Sequence, residues 1–150
     1  MSWEYIAGFF DGEGTIAHNG KGFRIVITQT NQEVLEDIQK FSNAGYIAEI
    51  TKRKLHWKDS WVYYIAKQRD VYKFLKKIKP FLIVKKKLAE KTIPELEKVL
   101  EHQEIKRKLS IYREQKSKKL RTTGLTYREI GEYLGIDWGY ARRLILDLKK

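Results

Sequence analysis

Residues 3 to 14 constrain this chain more than any other stretch, because an apolar helix pattern there carries Gly8, Gly12 and Gly14 and ends on Asp11 and Glu13. Ser2 is placed to N-cap a helix from Trp3 to Asp11, with Gly12 and Gly14 ending it. Gly8 and Gly12 lie four residues apart on one helix face, where missing side chains let another backbone approach closely. A second copy of the same helix is the natural occupant. Asp11 and Glu13 fall at the C-terminal end, where the helix's partial negative charge disfavours a carboxylate by about 0.3–1 kcal/mol, so a cationic group is expected nearby.

The pattern after the acidic corner alternates between strand and helix periods. Strands are predicted over Thr15 to Asn19 and Phe23 to Thr30, joined by the hairpin signal Asn19-Gly20-Lys21-Gly22. Asn31 caps a helix over 32–42 carrying Val34, Leu35, Ile38 and Phe41 along one side, and Asn43-Ala44-Gly45 closes it. A second strand pair, Tyr46 to Lys54 and Ser60 to Lys67, precedes a helix from Asp70 to Lys79. The order is αββαββα, an α+β fold with an antiparallel sheet. A charged helical stretch from about Ile83 to Leu120 follows, with a break expected at Thr92-Ile93-Pro94. Thr126 and Glu129 then form a capping box, Gly135-Ile136-Asp137 a tight turn, and Trp138 to Leu148 a last helix with Ala141, Leu144, Ile145 and Leu148 at helical spacing. That is a helix-turn-helix pattern. The domains expected are a core over 1–100, a basic helical linker over 101–124 and a small all-α extension over 125–150.

Lys and Arg number 31 against 19 Asp and Glu, a net charge of +12 that attracts a polyanion and makes nucleic acid the expected partner. With no cysteine, disulfide and thiol chemistry are excluded. No apolar run is long enough to span a bilayer, and the start lacks the basic-then-apolar pattern of a secretory signal. A soluble intracellular chain is expected, with no membrane partner and no small-molecule substrate. His18, His56 and His102 show no metal-ligand spacing and read as incidental.

Ile6-Ala7-Gly8-Phe9-Phe10-Asp11-Gly12-Glu13-Gly14 matches the nine-residue LAGLIDADG motif in its aromatic-rich variant. With the αββαββα order and Lys79-Pro80-Phe81-Leu82 before a basic helix, the chain resembles that family of homing endonucleases over about its first 100 residues. The resemblance implies a site-specific double-strand DNA endonuclease. It makes Glu13 the carboxylate that holds a divalent metal, Mg²⁺ or Mn²⁺, with the Gly12 backbone beside it and Asp11 in a more structural place. Gln29 and Lys85 match family positions near the active site, Gln29 to position a water and Lys85 to stabilise charge. Only one motif is present, so a homodimer is implied, with Ala7, Gly8, Asp11 and Gly12 at the interface and a roughly palindromic target. Cleavage would leave 5′ phosphates and short 3′ overhangs.

If Phe23, Ile25 and Ile27 face the core, the opposite sheet face offers Arg24, Val26 and Thr28 with Ala17, Asn19 and Lys21. By the same resemblance this is a DNA-reading saddle, to which the later strands add Ala48, Ile50, Lys52, Val62 and Tyr64, while Lys52-Arg53-Lys54 suits phosphates. Trp138, Tyr140, Arg142 and Arg143 on the last helix, and Lys116, Lys118, Lys119 and Arg121 before it, are further candidates for DNA contact. Two other readings stay open: a non-cleaving regulator on the same scaffold, and a maturase that binds intron RNA.

Overall fold

The computed structural model describes residues 1–18, 20, 22–52, 56 and 58–146, which form two compact units, Met1–Leu100 and Glu101–Lys150. Each is described by itself.

The first unit opens on α1 (Trp3–Glu13), whose N-cap Ser2 accepts from the Tyr5 amide at 3.3 Å. The expected end at Gly12 is corrected: Gly12 lies inside the helix, Glu13 is its last residue, and Gly14 begins β1 (Gly14–His18) with an extended φ of −83°. A single glycine weakens a helix by about 1 kcal/mol but does not stop one whose other face is packed. Here Ile6, Ala7 and Phe10 supply that packing, all fully buried. Gly14 is fixed by the same core, since a Cβ there would collide with the Phe10 ring.

β2 (Phe23–Gln29), β3 (Tyr46–Glu49) and β4 (Trp61–Ile65) complete an antiparallel sheet in the order β1-β2-β4-β3. Phe23, Ile25, Ile27, Tyr63 and Ile65 are buried on one face against α1, α2 (Gln32–Ser42) and α3 (Gln68–Ile78). β3 is shorter than expected, although the Ile50 amide still donates to the Ser60 carbonyl at 2.8 Å. Asn31 caps α2 by accepting from Val34, and Asn43 leaves the helix in the left-handed region with φ 49°. Gly45 has φ 74°, and a Cβ there would collide with the Tyr64 carbonyl oxygen and the Tyr63 ring, so only a glycine combines that φ with so little room.

A 3₁₀ turn at Lys79–Phe81 leads to α4 (Lys86–Thr122). The expected break at Pro94 is absent: the helix runs through it. Pro94 has no amide to bond the Glu90 carbonyl, a loss of about 3 kcal/mol. Ala89, Ile93 and Leu96 are buried in the core on the other side. Burying each large apolar side chain gains about 1.5–3 kcal/mol, enough to hold the helix.

In the second unit, α5 (Tyr127–Leu134) starts from a complete Thr126–Glu129 capping box and α6 (Trp138–Ile145) from Asp137, which accepts from the Gly139 and Tyr140 amides. Between them Gly135 adopts φ 61°. Gly131 allows the tight approach of the two helices, since a Cβ there would lie 2.7 Å from the Ile136 carbonyl oxygen. Ile130 on α5 and Ala141 on α6 are fully buried. No helix among the described residues is long and apolar enough to cross a membrane.

Candidate active site and nucleic-acid interface

The last turn of α1 meets the segment before α4 through the side chains of Asp11 and Lys85. Asp11 accepts from the Ile83 amide at 2.6 Å and the Val84 amide at 3.1 Å on one oxygen, and from the Lys85 amide at 2.8 Å on the other. Burial pushes its carboxyl up, but the bonds from Ile83, Lys85 and Val84 and the Lys85 charge outweigh that and hold it below the usual carboxylate range. The Lys85 ammonium turns back to donate to the Asp11 main-chain carbonyl and sits 5.9 Å from the Phe10 ring centroid. That is the cation expected at the negative end of α1. Both carboxylate oxygens of Asp11 are thus engaged by amides of its own chain.

Glu13 is exposed at the end of the helix and, among the described residues, has no hydrogen-bond or ion-pair partner. β1 leaves from the next residue, and Gly14 pairs with Ile27, so Gln29 at the end of β2 lies at the same end of the sheet. The Gln29 side-chain oxygen accepts from the Thr30 amide at 2.8 Å, and among the described residues its NH₂ group has no acceptor. Lys85 is thus held at the C-terminal end of α1 that carries Glu13, and Gln29 lies at the end of the sheet where β1 begins.

Among the described residues no group of three or more His, Asp or Glu side chains could cage a metal ion. A free carboxylate at Glu13 and the Gly12 carbonyl, in the last turn where helix carbonyls lack an in-helix donor, are hard oxygen ligands. One or two carboxylates completed by phosphate and water oxygens is the usual Mg²⁺ arrangement, and these residues fit it.

The outer side of α1 carries Glu4, Tyr5, Gly8 and Gly12 exposed, with Tyr5 stacked on Phe9 at 6.1 Å. Ala7 does not belong to it: that residue is fully buried in the chain's own core, so its place at an interface is corrected. Tyr5 takes its place on the exposed stripe, visible only once the helix phase is known.

The sheet face opposite the core collects seven of the expected reading residues in register, Ala17, Arg24, Val26, Thr28, Ala48, Val62 and Tyr64, while Ile50 and Lys52 lie beyond the end of β3. Thr15, Val26, Tyr64 and Tyr46 form one row across the four strands, Ala17 faces Arg24, and Thr28, Val62 and Ala48 form another row. Thr15 and Tyr46 were not expected. Tyr46 packs its ring 5.5 Å from Tyr64, and only the strand register places either residue on this face. Val62 is 5% exposed between Thr28 and Ala48, so it offers a ligand little surface despite its place. Lys52 is paired with Asp59 at 2.6 Å. Asn19, Lys21, Arg53 and Lys54 lie outside the described residues, as does Leu148.

In the second unit several basic residues are engaged internally. Lys118 bonds Glu114 at 2.9 Å, and Lys116 lies over the Tyr133 ring. Arg121 donates to the Leu125 carbonyl at 2.7 Å and stacks on Tyr127, which makes it a brace for the turn after α4 rather than a free cation. On α6, Trp138 is 57% exposed, Arg142 is exposed, and Arg143 lies 5.7 Å from the Tyr140 ring.

The model of the LAGLIDADG-like domain matches residues 2–79. Across 98% of this chain and 97% of the other, the structure is similar to an archaeal intron-encoded homing endonuclease, I-Vdi141I, complexed with DNA, at 22% identity and TM-score 0.52. It is also similar to the homing endonuclease I-CvuI in complex with its target in the presence of Ca, at 17% identity and TM-score 0.53 over 97% and 93% of the two chains. The meganuclease I-AabMI bound to uncleaved DNA aligns over 78% of this chain and 44% of that one, at 19% identity and TM-score 0.54. None of the curated proteins matches the chain. The motif carried by α1, the four-stranded antiparallel sheet and the match over more than half of the residues agree: the chain belongs to the LAGLIDADG-like domain family, with the fold of its homing endonucleases.

Proposed function

We propose that the chain is a site-specific double-strand DNA endonuclease that works as a homodimer. One observation carries this reading: a Glu13 carboxylate with no partner among the described residues stands at the end of a helix whose outer face carries two glycines that the packing of those residues does not require. A Cβ at Gly8 or Gly12 would meet nothing within 4 Å. Packing that face on its symmetry mate brings two Glu13 side chains together on a two-fold axis, one for each DNA strand. The DNA complexes of I-Vdi141I and I-CvuI support the choice of partner.

In this reading the open sheet face lies in the major groove, which admits a β-ribbon. Arg24 and Thr28 supply hydrogen-bonding groups, and Val26, Ala17 and Ala48 supply contacts for thymine methyls. Exposed residues of the second unit, Trp138, Arg142 and Lys119 first among them, lengthen the contact. The net charge of +12 serves both.

Glu13, with the Gly12 carbonyl, would hold a divalent ion against the scissile phosphate. A bound Mg²⁺ or Mn²⁺ supplies charge neutralisation there and a more acidic water. The Gln29 NH₂ group donates to the attacking water and orients it. Water oxygen bonds to phosphorus as the bond to the 3′ oxygen breaks; the attacking water gives up one proton to bulk solvent and the leaving 3′ oxygen takes one from solvent, so no net proton is consumed in forming the 3′ hydroxyl. Lys85 balances the charge that develops on the phosphoryl oxygens. The products carry a 5′ phosphate and a 3′ hydroxyl.

The test is cleavage of a library of double-stranded sites with Mg²⁺ followed by mapping of the ends. Double-strand cuts at near-palindromic sites with short, fixed 3′ overhangs are expected. Tight, sequence-selective binding without cuts would replace this reading with that of a regulator.

A further inference from the structure

Lys85 is held at both ends by the same residue. Its amide donates to one carboxylate oxygen of Asp11 at 2.8 Å, and its ammonium reaches the Asp11 carbonyl. The Lys85 carbonyl accepts from Ala89 at 2.9 Å, so Lys85 is the cap of α4. The segment leading into α4 is tied down from far away: a carboxylate from 72 to 74 residues earlier in the chain accepts from the amides of Ile83, Val84 and Lys85, the three residues just before the helix. The tripeptide has little else to hold it: Leu82 is buried, but Ile83 is 86% exposed and Val84 74% exposed. Glu13 lies two residues beyond Asp11, on the same helix end.

We infer that Asp11 is the positioning residue that delivers the Lys85 ammonium to the Glu13 site. The inference rests on the endonuclease reading proposed above. Asp11 touches no substrate. Its carboxylate fixes the backbone of residues 83–85 against α1, and its carbonyl holds the ammonium in reach of the phosphate until DNA takes over that contact. A carboxylate serves better than a carboxamide because it accepts from all three amides, whereas the amide NH₂ of an asparagine would face a donor. A displacement of about 1 Å in such a charge costs up to about 100-fold in rate.

The test combines amide exchange with single-turnover cleavage by the full-length protein, for the parent, Asp11→Asn, Lys85→Met and the double variant. In Asp11→Asn the amides of Ile83, Val84 and Lys85 should exchange more than 10-fold faster. Cleavage should slow about 100-fold while DNA affinity measured in Ca²⁺ changes less than 3-fold, and the double variant should be no slower than Lys85→Met. Multiplicative losses in the double variant, or a parent-like rate despite opened amides, would overturn the inference. Asp11→Glu, which keeps the charge but moves the oxygens by one methylene, replaces the Asn variant if that fails to fold, with the same cycle expected. If the parent itself cuts no DNA, it is the endonuclease reading that fails, and the exchange data then report only a structural cap.

Discussion

Gly8 and Gly12 stand one turn apart on the exposed side of α1, and among the described residues a Cβ added to either would meet nothing beyond its own turn of helix within 4 Å. Each costs its helix about 1 kcal/mol relative to alanine, so a chain that stayed alone would be better without them. Gly8→Leu should therefore leave the circular dichroism spectrum unchanged and turn a dimer into a monomer in sedimentation equilibrium. A Leu variant that still sediments as a dimer contradicts the role given to this helix face.

The sheet's open face makes a separate prediction. Arg24 is exposed, opposite Ala17, on a surface with no other full positive charge among its in-register residues. Arg24→Ala should relax base preference at one position in each half-site, with a loss of about 1–3 kcal/mol there. A binding-site selection that returns the parent's motif unchanged would remove Arg24 from the reading surface.

The two helices after α4 separate contact from scaffold. Trp138→Ala with Arg142→Ala should weaken binding and shorten the protected DNA while the cut position stays the same. Gly131→Ala forces a Cβ to within 2.7 Å of the Ile136 carbonyl oxygen. It should destabilise this unit by about 1–3 kcal/mol, read as faster amide exchange in α5 and α6.

Tyr63 supplies a pH prediction. Burial pushes its hydroxyl up to about 12, against the hydrogen bond with Ser42, and the Asp70 charge adds to the rise. The folded value exceeds the unfolded one near 10, so the stability it contributes is complete below about pH 10 and is lost as pH rises toward 12. Tyr63→Phe should flatten the alkaline limb of a denaturation series and remove one late-titrating tyrosine from the ultraviolet spectrum. It should also cost about 1 kcal/mol at neutral pH, because the hydroxyl bonds both Ser42 and the Ala44 carbonyl at 2.8 Å.

How far the sequence can be read follows from where each determinant lies. Caps are local: Ser2, Asn31, Thr126 and Asp137 each bond an amide two or three residues away, and each is visible in the sequence. Strand alternation in Phe23, Ile25 and Ile27 is equally local and gives the buried face directly. Gly12 and Pro94 mislead because their local cost is real but smaller than the tertiary packing on the other side of each helix. The burial of Ala7, the place of Thr15 and Tyr46 and the bracing by Arg121 all depend on helix phase, register or a partner in another element. Asp11 is the extreme case, with partners more than 70 residues away that no short-range pattern signals.

The central claim, that Glu13 is the working carboxylate, meets its most direct test in Glu13→Gln. The measurement is cleavage of the selected DNA site in Mg²⁺ beside binding to the same site in Ca²⁺. Binding within about 3-fold of the parent, with cleavage reduced at least about 1,000-fold, is the predicted result, since the variant keeps the shape of the side chain and loses only the charge that holds the metal. Cleavage that persists within about 10-fold of the parent would contradict it and move the metal site away from the end of α1.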